Sequence, residues 1–174
     1  MGSIGFAAAV SAAVLSVSVC LSTVGAPALA STQAGVTAFQ QGKYEEAKKL
    51  LEPEAEKNDP AAMFALGKMY ASGTGVEKDL EKAADYFQRA SELGHAEAQQ
   101  SLGSALMLGD GIEQDMIEAL KWFIVSARAG NQSAATYGGN VAKFMSRQMQ
   151  LEARTKATEW QKAFAEKQKK DGQE

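Results

Sequence analysis

Residues 66–94 and 102–130 carry one signature at a constant separation of 36. Leu66-Gly67 returns as Leu102-Gly103, Gly73-x-Gly75-Val76 as Gly109-x-Gly111-Ile112, and Asp79 as Asp115. Ala83 returns as Ala119, Tyr86-Phe87 as Trp122-Phe123, and Gly94 as Gly130. A sustained period of about 20–50 residues marks a stack of small units, none of which buries its own apolar face without a neighbour. The chain is therefore constrained to an elongated array, and its 45% hydrophobic residues are spread along an axis. With Lys+Arg 18 against Asp+Glu 21, the net charge of −3 offers no basic surface for nucleic acid.

The first thirty residues are a different material. Residues 1–30 contain no charge, are rich in Ala, Val, Ser and Leu, and end in Ala28-Leu29-Ala30 before Ser31. That small-x-small ending predicts a signal peptide cleaved after Ala30, hence an exported chain, periplasmic or secreted. An uncleaved anchor is the alternative, because the run from Ile4 to Val24 approaches the roughly 20 apolar residues needed to cross a bilayer. Only in that case does the chain touch a membrane. Cys20 is the sole cysteine and leaves with the segment, so the mature chain has no disulfide and rests on packing.

Residues 31–59 read as a polar lead and a half-repeat from Ala34, with a turn at Gly42. Pro53 is expected to kink or restart the helix that follows. Asp59-Pro60 is a helix start, with Asp59 as cap and Pro60 in the first turn. Residues 60–145 hold two full helix–turn–helix units and the start of a third. In the first unit, Met63, Leu66, Gly67 and Tyr70 lie on one face of a helix A ended by Gly73-Thr74-Gly75. Asp79 then caps a helix B with a buried stripe of Leu80, Ala83, Ala84, Phe87 and Ala90, closed by Gly94. In the second unit, Asp115 and Glu118 have the spacing of a capping box. A third helix A opens at Ala134, but Gly138-Gly139 replaces the Leu-Gly step. Residues 146–174 hold a capping helix from Met149 to Lys167, with Ala153, Ala157, Trp160 and Phe164 on its inner face and a frayed end from Lys169.

The run Ala62-x3-Leu66-Gly67-x2-Tyr70-x2-Gly73-x-Gly75-Val76-x2-Asp79-x2-Lys82-Ala83-x2-Tyr86-Phe87 resembles the Sel-one-like repeat, a longer relative of the tetratricopeptide repeat. The second copy departs at Leu106 and Glu118, where the tyrosine and lysine are expected. The resemblance implies an all-α, right-handed superhelix of helix pairs with helix A lining the concave face. It also implies an adaptor or scaffold of the bacterial envelope that binds another protein or peptide, without cofactor or catalytic residues. Two alternatives accompany it. One is a periplasmic regulator of a membrane sensor. The other is an enzyme acting on cell-wall peptides, as suggested for cysteine-rich relatives whose units are braced by disulfides that this chain lacks. Where helices cross, Gly67 and Gly103 are expected to face small residues such as Ala83 and Ala119, with Tyr86, Phe87, Trp122 and Phe123 filling the space between units.

Few residues suggest chemistry. His95, the only histidine, follows Gly94 at the place of Asn131 in the next unit and reads as a polar turn residue. The Gly-x-Gly elements lack the third glycine and preceding strand of a dinucleotide site. One histidine and no mature cysteine predict no metal site. The candidate partner surface comprises helix A positions left over from the core: Phe64, Lys68 and Ala71, then Gln100, Ser104 and Met107, then Thr136, Asn140 and Lys143. These are expected to stack into a shallow track for an extended peptide or a helix, with Phe64 and Met107 partly engaged in packing.

Overall fold

The computed structural model describes residues 26–172, which form eight helices and no strand. In chain order they are α1 (Ala26–Gln40), α2 (Tyr44–Glu56), α3 (Pro60–Ser72), α4 (Leu80–Glu92), α5 (Ala96–Leu108), α6 (Met116–Arg128), α7 (Gln132–Ala142) and α8 (Arg147–Asp171). The export segment expected over residues 1–30 lies outside the described residues as far as residue 25. The stretch expected as a polar lead belongs to α1, where Thr32 is buried and donates to the Asp59 carboxylate at 3.0 Å.

The 36-residue step is built into the helix starts. Helices α3, α5 and α7 begin at 60, 96 and 132, and α2, α4 and α6 at 44, 80 and 116. Five of these six starts have a side-chain cap, α2 after Lys43 being the exception: Asp59 accepts from the Ala61 and Ala62 amides at 2.9 and 3.0 Å, and Asp79 accepts from Lys82 at 2.9 Å. Asn131 accepts from Ala134, which moves the start of the third helix A to Gln132 instead of Ala134. Pro53 does not restart its helix. It sits exposed in the last turn of α2, where the missing amide forfeits one backbone bond. The last helix starts at Arg147, capped by Ser146, and runs through Lys169 to Asp171, where fraying was expected.

Helices pair where a glycine removes a side chain. A Cβ on Gly35 would lie 2.7 Å from Leu51, one on Gly67 2.7 Å from the Phe87 ring, and one on Gly103 3.0 Å from the Phe123 ring. The expected small neighbours are thus replaced by large ones. Each glycine is a seat for an apolar side chain of the following helix, with the Ala119 carbonyl alone bordering Gly103 as anticipated. The second glycine of each Gly-x-Gly works between units. Gly75 lies against Tyr44 and Gly111 against the Leu80 carbonyl, so closely that a Cβ has no room, and both have φ of +72°.

Helix α8 packs across α6 and does not run alongside α7. Ala153 and Ala157 are fully buried at this crossing, and Trp160 meets Trp122 at 5.3 Å between ring centroids. Phe164 reaches back to cover Gly94. Glu118 does not complete a capping box: Asp115 caps α6, but the Glu118 carboxylate bonds Lys121 at 2.9 Å and Lys156 of α8 at 2.8 Å. Two lysines within reach offer more than one distant amide. Burial pushes the Glu118 pKa up, yet the two lysines together outweigh it and hold the carboxyl below its usual range.

Candidate functional site

The nine positions singled out on helix A occupy three rungs of α3, α5 and α7. Phe64 is half-buried against Phe87 and His95, at centroid distances of 6.0 and 4.8 Å. Gln100, one unit on, does the same job by hydrogen bonding: its side-chain oxygen accepts from Asn131 at 2.9 Å. This rung therefore ties each helix A to the cap of the next. Lys68 is exposed, with its ammonium 5.7 and 5.6 Å from the Phe39 and Phe64 rings. Ser104 bonds the Gln100 carbonyl at 3.2 Å, and Met107 packs half-buried on the core. Thr136 and Asn140 are exposed on α7, where Lys143 donates to Asn140 at 3.0 Å.

These residues do not converge on one depression. Phe64 and Lys68 line a groove of about 320 Å³ between α1, α3 and the start of α5. Ser104 and Ala71 line a smaller one of about 210 Å³ against α4. The larger groove has Val36, Phe39 and Phe64 as apolar walls, Lys68 at one side, and His95 and Glu97 at the other. Its α1 members were missed in the sequence. Thr32, Val36 and Phe39 are the same three rungs as Phe64, Lys68 and Ala71, displaced by 32 instead of 36. The turn between α1 and α2 is four residues shorter than its counterparts, which hid the match; Gly35, 32 before Gly67 and paired with Leu51, was the available signal.

His95 caps α5: its Nδ1 accepts from the Ala98 amide at 3.3 Å. That bond requires a free lone pair on Nδ1, so the 3.4 Å approach of Glu97 to the same atom is not an ion pair in this arrangement. Burial lowers the His95 pKa against the smaller raising influence of Glu97 and Asp59. The ring is thus a neutral wall of the groove at pH 7. The groove can hold an apolar residue between two rings and pair an acidic group with Lys68.

A family model described as the Sel1 repeat matches residues 60–95 and 96–131. Among solved structures, the chain resembles a protective antigen of uropathogenic Escherichia coli displaying an SLR fold, at 27% identity and a TM-score of 0.73 over 82% of this chain and 32% of that one. It also resembles a Sel1 repeat protein from Oxalobacter formigenes, at 30% identity and 0.62 over 74% and 55%. Cysteine rich protein B of Helicobacter pylori is similar at 25% identity and 0.53, over 66% and 97%. The chain thus spans about a third of the first relative and just over half of the second. No curated protein matches it.

Proposed function

Because this chain is a Sel1-repeat protein, of a class that serves as protein–protein interaction modules, we propose that it is a non-catalytic adaptor of the bacterial periplasm or cell envelope. Its concave helix A face holds an extended segment of a partner protein. The groove between α1 and α3 supports this most directly, since Phe39 and Phe64 form apolar walls beneath the Lys68 ammonium. A peptide residue with an apolar side chain beside a carboxylate fits that combination. Export rests on the uncharged stretch ending in Ala28-Leu29-Ala30. No described helix is long and apolar enough to cross a membrane.

A photo-crosslinking amino acid in place of Lys68 tests the reading in intact cells. One partner should be captured there and not from the exposed outer position Lys162. Lys68→Glu should abolish capture at a crosslinker placed at Gln33, with far-UV circular dichroism unchanged. Equal labelling from Lys68 and Lys162 would sink the groove as the binding surface.

A further inference from the structure

The seat that pairs each helix A with its helix B occurs four times and is filled three times. Gly35, Gly67 and Gly103 receive Leu51, Phe87 and Phe123, whereas Gly139, 36 residues after Gly103, has nothing within 4 Å of a would-be Cβ. The loop after α7 is short, and α8 leaves at once to lie across α6. The surface that a helix B covers in the second unit is consequently open in the third. Gln99 and Gly103 are buried, while Ala135 and Gly139 at the same positions are exposed. What remains is a groove of about 370 Å³, floored by Leu120, Phe123 and Ile124 of α6, walled by α7, and flanked by Arg128 and Arg154.

We propose that this groove docks an amphipathic helix of a partner protein, which seats a Phe or Leu on Gly139 and carries acidic residues beside it. The three filled seats define the knob. The charge defines the flanks: residues 128–155 hold four basic side chains and one acidic, and Arg154 has no acidic partner among the described residues. The same excess sets like charges against each other in a second copy docked face to face, which disfavours self-association.

The test uses a stapled, fluorescent peptide of residues 79–93, the segment that seats Phe87 on Gly67 and carries four acidic residues to two basic. Saturable binding to the full chain is expected, weakened about tenfold or more by Gly139→Leu, by Arg154→Glu, and by Phe87→Ala in the peptide. Gly139→Leu places its side chain in open space within a helix, so its unfolding midpoint should not fall. Absence of binding, or binding indifferent to Gly139→Leu, overturns the proposal. So does a concentration-dependent dimer in sedimentation that Gly139→Leu dissolves, which assigns the seat to a second copy. The Lys68→Glu chain should bind the peptide normally, which separates this site from the groove beside α1.

Discussion

His95 and Asn131 stand one unit apart and cap α5 and α7 in the same way, but only His95 takes up a proton near neutrality. Its folded pKa lies below the ordinary 6.5, so the unfolded chain binds the proton more readily. Its contribution to stability is complete above pH 6.5 and is lost as pH falls below it. We expect the unfolding midpoint to drop between pH 7.5 and pH 5.5, and His95→Asn to shrink that drop while preserving the cap. An unchanged pH dependence would remove His95 from the account. The turn glycines provide a second contrast. Gly111→Ala places a methyl into the Leu80 carbonyl at positive φ, whereas Gly130→Ala, also at positive φ, meets nothing within 4 Å. The Gly130 variant should cost about 1–2 kcal/mol from backbone conformation alone, and the Gly111 variant clearly more, by chemical denaturation. The sequence showed that Gly111 recurs but not why, because its neighbour Leu80 is 31 residues away and belongs to the preceding unit.

Helices were legible to the extent that they obey the period. The starts of α3 through α6 follow from their caps and the 36-residue step, and the stripe from Met63 to Tyr70 lies inward as read, with Tyr70 half-buried. The elements that break the step were less legible: α1 starts before Ala34, α2 continues through Pro53 as one helix, and α8 carries no repeat that names its neighbour. No periodicity encodes that α8 prefers α6, since Ala153 and Ala157 fit a crossing on either neighbour. The buried Trp122, pinned by Trp160, carries that choice. Trp122→Ala removes both the core side chain and the partner of Trp160, at about 3–5 kcal/mol. For a chain of this size that corresponds to a fall of roughly 10 °C or more in Tm, read by calorimetry. A shift within a degree or two would contradict the placement.

Across the described residues the core divides into two clusters, one running from α1 to Ala90 of α4 and Ala98 of α5, the other from Ala83 and Phe87 of α4 through α5 to α8, so that α4 contributes to both and Phe64 touches both. Arrays of this kind gain stability from local neighbours, so damage at one end need not reach the other. Hydrogen exchange on Trp122→Ala should accelerate amides of α6 to α8 more than those of α2 and α3; uniform acceleration would mean that the chain unfolds as one block. The two surfaces argued for binding lie at opposite ends of this arrangement. One was half visible in the residues of α3, and the other arises where α8 packs on α6 and leaves Gly139 of α7 uncovered. That packing also interrupts the helix-pair stacking at α7. Because α8 leaves the α7 face bare, replacing the residues after Ala142 with the seven-residue turn and helix of an ordinary unit should let the stack be lengthened repeat by repeat, which would make α8 a detachable lid on an extensible rod.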